Sequence, residues 1–144
     1  MVQALEQARA CLAHGDVPVG AVALAGGQVV AAARNRRELD ADPTAHAEVL
    51  LLRAVAASLG SWRLGGLTVV VTLEPCAMCA GALVAARVSR LVFGAYDPKA
   101  GACGSLYNLC CDPRLNHEIE VRSGVLEQEC SGLLSAFFSE RRRL

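Results

Sequence analysis

No charge of either sign predominates in this sequence: 14 Lys and Arg offset 14 Asp and Glu over 144 residues, with three His besides. Nucleic acid therefore finds no overall attraction, and any that binds must use local positive patches. Two such patches are visible, Arg141, Arg142 and Arg143 near the C-terminus and the group Arg34, Arg36 and Arg37. A merely solvated face is the alternative reading of each. No apolar run approaches the ~20 residues of a membrane span, because Gly or a charge interrupts every one. No basic stretch followed by an unbroken apolar segment opens the chain, so no secretory leader is expected. Seven cysteines, an odd number, do not suit a disulfide framework (Cys11, Cys76, Cys79, Cys103, Cys110, Cys111 and Cys130). They point to a reducing, cytoplasmic setting. No repeat or low-complexity tract is present, and residues 1–144 are read as one domain that buries about two thirds of its extended surface.

What abounds is small and branched apolar side chains. Hydrophobic residues make up 53% of the chain, much of that Ala, Val and Leu, which suit compact α/β layers. Residues 2–14 carry a helical stripe of Leu5, Ala8, Cys11 and Leu12. Residues 19–25 and 28–34 are β-prone and flank Gly26-Gly27, a hairpin signal because both glycines tolerate the positive φ of such a turn. After a polar loop over 35–43, Thr44 is expected to cap a helix over about 45–57. Residues 67–73 read as a strand buried on both faces. Pro75 suits the entrance of a helix over 76–85, and 89–94 is a further strand. The stretch 96–117 has no steady period and reads as a long functional loop with one short helix. Residues 118–122 and 125–139 close the chain as strand and helix. This order implies a central sheet of about five strands with helices on both faces.

The strongest local signal is Pro75-Cys76-Ala77-Met78-Cys79 directly after the buried strand. Two sulfurs three positions apart at a helix start share a face, and the helix N-terminus favours their thiolates. Alone, a CxxC also fits structural zinc, a redox dithiol or two core cysteines. Thr44-Ala45-His46-Ala47-Glu48 supplies a histidine at a second helix start. His46, Cys76 and Cys79 make three ligands and leave a fourth position open, the count of a catalytic rather than a closed structural zinc site. Glu48 then stands beside the metal as a carboxylate able to move protons. A redox dithiol would give neither His46 nor Glu48 a role.

His46-Ala47-Glu48 with Pro75-Cys76-Ala77-Met78-Cys79 resembles the HxE and PCxxC pattern of the cytidine/deoxycytidylate deaminase superfamily, whose zinc chemistry is known in general terms. Asp16 to Ala21, Asn35-Arg36, Asp42 to Glu48, Thr72 to Cys76, Met78 to Ala82, Val92 to Ala95, Gly104 to Leu106, Asn116-His117 and Glu129 to Leu134 with Phe137-Phe138 narrow the resemblance. Over nearly the whole chain they are similar to the bacterial tRNA-specific adenosine deaminases. That resemblance implies a cytidine deaminase-like three-layer α/β/α sandwich. It implies a Zn2+ cofactor held by His46, Cys76 and Cys79, with Glu48 as proton shuttle. It implies hydrolytic deamination of adenosine at the wobble position of a tRNA anticodon loop, by a homodimer with sites near the subunit boundary. Asn35 is matched to a contact with the flipped base, Pro18 and Val19 to the pocket wall, and Asp97 to the nucleotides around the target. Strand termination, packing and an ordinary turn are the plainer readings of these four.

Three departures lie in or near the loop expected to touch RNA: Tyr96 beside Asp97, Ala100 before Gly101, and the pair Cys110-Cys111. Tyr96 is expected to stack on a base, and Arg141, Arg142 and Arg143 to meet phosphates. Two other functions share the same centre. One is deamination of free guanine, cytosine or a nucleotide, which has no need of Phe137-Phe138 and the arginine run. The other is a non-catalytic, zinc-stabilised RNA-binding subunit, which has no use for Glu48.

Overall fold

The computed structural model describes residues 1–144. Helix α1 (Val2–Ala10) continues into a 3-10 turn (Cys11–His14), which Gly15 ends in the left-handed conformation. Strands β1 (Gly20–Ala25) and β2 (Gln28–Arg34) form a hairpin across Gly26 and Gly27, both at positive φ. Then follow α2 (Ala47–Leu59), β3 (Thr68–Leu73), α3 (Ala77–Ala85) and β4 (Arg90–Ala95). A 3-10 turn at Leu109–Cys111, β5 (Glu120–Arg122) and α4 (Glu127–Arg142) complete the chain. No helix is long and apolar enough to cross a membrane.

The five strands make one mixed sheet in the order β2-β1-β3-β4-β5. β3, β4 and β5 are parallel, whereas β1 runs antiparallel to both β2 and β3. Register explains how a nearly continuous apolar run serves two faces. Ala21 lies opposite Val71, which lies beside Phe93, and these side chains share a face with Ala23, Val69 and Leu91. That face packs against Leu51, Leu52 and Val55 of α2 and Ala80, Leu83 and Val84 of α3. The alternate residues Val22, Val70 and Val92 point the other way, toward Ala4 of α1. Leu5, Ala95 and Cys130 bring α1 and α4 together on that second face. α1 can lie this close because residue 20 is glycine, where a Cβ would fall 2.1 Å from the Ala4 carbonyl oxygen. Truncating a fully buried core residue such as Leu83 costs about 2–5 kcal/mol.

The cap expected at Thr44 is not formed. Its hydroxyl instead donates to Asp42 Oδ1 at 2.8 Å, and α2 starts later, with His46 extended (φ −74°, ψ 151°) at the N-cap. Cys76 holds the same position before α3 (φ −73°, ψ 177°). The chain stays extended at both residues, and neither cap bonds its own helix through the side chain, so both are free to point elsewhere.

Candidate active site

Topology puts the chemistry at one end of the sheet. Antiparallel β1 begins where parallel β3 ends, and the Gly20 amide donates to Thr72 Oγ1 at 3.2 Å. The segment before β1 and those after β2, β3 and β4 therefore meet on one side, where the helix starts of α2 and α3 also arrive. His46 Nδ1 lies 3.7 Å from Cys76 Sγ and 3.5 Å from Cys79 Sγ. All three donor atoms lie within 4.8 Å of one another and could hold a metal ion. The fit to a tetrahedral ion is close, since metal–sulfur bonds of ~2.3 Å and metal–nitrogen bonds of ~2.0–2.1 Å place such donors ~3.5–3.8 Å apart. Two sulfurs and one imidazole leave the fourth corner to a small molecule.

The electrostatics suit a cation. A hydrogen bond from Cys79 lowers the Cys76 thiol to about 4, against an opposing push from burial. The same interaction, with burial, drives Cys79 upward. His46 is raised by its hydrogen bond to Cys76. Glu48, on the first turn of α2, is buried, and burial pushes its carboxyl up. A carboxyl so placed beside a cation site is within reach to give and take a proton.

These groups open into a cavity of about 160 Å³, lined among others by Val17, Val19, Asn35, Arg37, His46 and Glu48. A cavity of ~150 Å³ is enough for an aromatic ring. Of the four residues matched in the sequence to base and nucleotide contacts, Val19, Asn35 and Asp97 line it. Pro18 does not, and its neighbours Val17 and Val19 form the wall instead. Asn35 is buried; its Nδ2 donates to the Val17 carbonyl at 3.1 Å and its Oδ1 accepts from the Arg37 amide at 3.1 Å. One amide hydrogen and one lone pair remain for a guest.

A wider groove of about 680 Å³ adjoins the cavity and shares Val17, Leu73, Asp97 and Ala100 with it. Tyr96, Lys99, Phe138, Arg141 and Arg142 also line it. The Tyr96 ring is half exposed, edge-on to Phe93, and its hydroxyl is 2.6 Å from Ser123 Oγ. Arg141 is less free than an open tail would be, for it donates to the Gly15 carbonyl and lies over the Phe137 ring. Arg143 is the exposed C-cap of α4 and lines neither space.

Two structural carboxylates went unread in the sequence. Glu74, buried, accepts from the amides of Asp97 (3.0 Å), Cys103 (3.1 Å) and Ser105 (3.0 Å) and from the Ser105 hydroxyl. Asp16, also buried, accepts from the amides of Glu38 (2.6 Å) and Leu39 (3.1 Å) and lies 2.7 Å from His14 Nδ1. Burial alone would raise both carboxyls, yet these hydrogen bonds win and hold both below the ordinary range. Their only sequence signal was an acid placed inside an apolar motif. Cys103 and Cys110 are buried with sulfurs 3.6 Å apart and join the main core cluster.

Comparison with known proteins bears on what this pocket does. The model of the MafB19-like deaminase family matches residues 1–142. A tRNA-specific adenosine deaminase of Bacillus subtilis is 51% identical over 143 residues, 99% of this chain and 89% of that protein. A solved structure from a study of A-to-I editing by tRNA:A34 deaminases at the wobble position superposes with a TM-score of 0.88. It is 43% identical, and the match covers 91% of this chain and 95% of that one. A guanine deaminase from Nitrosomonas europaea also superposes, with a TM-score of 0.83 at 26% identity over 96% and 82% of the two chains.

Proposed function

This chain belongs to the MafB19-like deaminase family, and from that premise we propose that it hydrolyses adenosine to inosine at the wobble position of a tRNA anticodon loop, releasing ammonia. The observation that carries the chemistry is Glu48, buried and lining the same cavity as His46 and Cys76 without belonging to the ligand triad. His46, Cys76 and Cys79 would hold the metal, and their donor set selects zinc. When bound, such an ion supplies the Lewis acidity that makes water a nucleophile at neutral pH.

The chain's own residues do the rest. Glu48, relayed between its two protonation states, takes the proton of the water that adds at C6 and delivers it to N1. It then carries a second proton to the departing amine. Asn35 orients the base edge through its uncommitted amide hydrogen and lone pair, and Val17, Val19 and Leu73 exclude bulk water from the ring. A base inside a stack cannot enter a cavity walled in this way, so it must be flipped out. An anticodon loop lowers that cost because its bases are already largely unpaired.

The groove beside the cavity favours a polynucleotide over a free base. Its Tyr96 and Phe138 rings offer stacking surfaces, worth ~1–3 kcal/mol per base where they engage. Lys99, Arg141 and Arg142 offer phosphate contacts in the same groove. Asp97 sits where cavity and groove meet, between the target and its neighbours. The homodimer implied by the resemblance is part of the same proposal, and light scattering coupled to gel filtration tests it.

The deciding experiment gives the purified, zinc-loaded protein a panel of anticodon stem-loops, free adenosine, guanine and cytidine, and scores inosine and ammonia. Inosine in a stem-loop far above activity on any free base is expected. Efficient turnover of free guanine with none of RNA would overturn the reading. E48A is expected to keep its zinc and lose ~10²–10⁴ or more in kcat, as a lost acid–base group does. Near-normal single-turnover rates would remove Glu48 from its role.

A further inference from the structure

The segment 34–37 holds three arginines, and the fold spends two of them internally. The Arg34 Nε donates to His14 Nε2 at 3.2 Å. Arg36 forms a bidentate pair with Asp40, its Nε and Nη2 donating at 3.0 and 2.9 Å. Arg37 makes no ion pair and no side-chain hydrogen bond, yet it is the sole Lys or Arg lining the catalytic cavity.

Its backbone, by contrast, is fixed on both sides. The Arg37 amide donates to Asn35 Oδ1 at 3.1 Å, and its carbonyl accepts from the Asp42 amide at 3.1 Å. The next two amides, Glu38 and Leu39, are held by buried Asp16. The chain thus anchors a residue rigidly at the cavity wall and leaves its guanidinium exposed and unpartnered. Asn35, which holds the Arg37 amide, is also the residue offering spare hydrogen-bonding capacity to the base. Position of the base and position of the cation are therefore set by one side chain.

We infer that Arg37 binds a backbone phosphate adjoining the flipped adenosine, which makes it a specificity residue for a polynucleotide over a free base or nucleoside. The inference rests on the RNA reading above and deepens it. A planar, permanently charged fork suits a phosphodiester bidentately. Free adenosine carries no anionic oxygen for it to pair with, whereas every link of a polynucleotide does. The acidic groups nearest in the same loop do not consume it: Asp40 is taken by Arg36, Asp42 accepts from Thr44, and Glu38 extends into solvent. Across the cavity, Asp97 directs Oδ1 to the amides of Lys99 and Ala100.

The test measures kcat/KM for an anticodon stem-loop and for free adenosine across a salt series, using zinc-loaded wild type, R37A, R37K and R36A. R37A should lose about tenfold on the stem-loop at low salt. It should also flatten the dependence of log(kcat/KM) on log[salt] by about 0.7, one single-strand phosphate contact. Its preference for stem-loop over adenosine should fall by a similar factor. R37K should keep the wild-type salt slope, and R36A should keep both slope and preference. An unchanged slope in R37A would overturn the inference, as would equal losses on the two substrates. So would R36A behaving like R37A, because loop integrity would then explain the effect. A wild-type protein that makes no inosine in any stem-loop would instead bring down the RNA reading and this inference with it.

Discussion

Two loops wall the catalytic cavity, and each hangs on one buried carboxylate, but the two are held in different ways. The segment 97–105 is fastened three times over. Glu74 takes its amides, the Ala102 amide donates to the Pro75 carbonyl at 2.8 Å, and Ala102 and Cys103 enter the main core. The segment 36–42 has little burial of its own, and Asp16 and Asn35 reach it from outside through a few hydrogen bonds. The first loop is pinned to the core through its buried middle, Gly101 to Cys103. The second is a surface segment placed by polar tethers, a better arrangement for a residue that must meet a partner than for one that must stay dry.

The largest effect should come from Glu74. E74A leaves three amides without an acceptor in a buried place and should destabilise the protein by about 3 kcal/mol or more. G101A strikes the same spot, since a Cβ there would sit 2.3 Å from the Glu74 carboxylate. Both should lower the denaturant midpoint and deamination together. If either folds with wild-type stability, the contrast between the loops fails.

D16N should do less to the fold and relatively more to the substrate. One oxygen still accepts a loop amide, so a loss of about 1–2 kcal/mol is expected. KM for the stem-loop should rise more than kcat falls, because Arg37 and Asn35 drift with the loop. Equal changes in stability and turnover for D16N and E74A would erase the distinction.

Acid should sharpen it. The folded carboxyl of Asp16 lies below its unfolded value of ~3.9, so its contribution is complete above that pH and vanishes as pH falls through the lowered folded value. The stability gap between wild type and D16N should therefore be constant near neutrality and close progressively below about pH 4. A gap that stays open at the lowest pH at which the fold survives would contradict the ionised assignment. His14 belongs to the same picture: Arg34 Nε donates to its Nε2 at 3.2 Å, and its Nδ1 lies 2.7 Å from Asp16 Oδ2.

R141A should have the smallest effect. It breaks one bond to the Gly15 carbonyl and a contact over Phe137 at the surface, and the melting temperature should fall by no more than about 4 °C. Because Gly15 precedes Asp16, the loss should appear in the 36–42 segment, as faster amide exchange there, rather than in 97–105.

Much of this was legible in the chain itself. Alternation, glycine pairs and the long apolar run identified five strands and four helices to within a few residues. His46, Cys76 and Cys79, whose donor atoms the fold brings within 4.8 Å of one another, and Glu48 stood out as candidates because metal and proton chemistry demand those side-chain types at those spacings. Local signals of this kind survive in a one-dimensional reading because period, turn chemistry and ligand spacing are set by neighbours in sequence. Other features depend on residues far apart in the chain. Strand order, the antiparallel placement of β1 beside β3, and hence the meeting of residues 17–19, 35–37, 46–48, 73–76 and 97–100 around one cavity arise from packing alone. So do the tethering roles of Asp16 and Glu74, whose amide partners lie more than twenty residues away. The division of labour among three neighbouring arginines follows the same logic. In the sequence Arg34, Arg36 and Arg37 are one basic patch. Only the fold, by supplying His14 to one and letting a loop turn bring Asp40 to another, decides that Arg37 is the charge left free at the cavity.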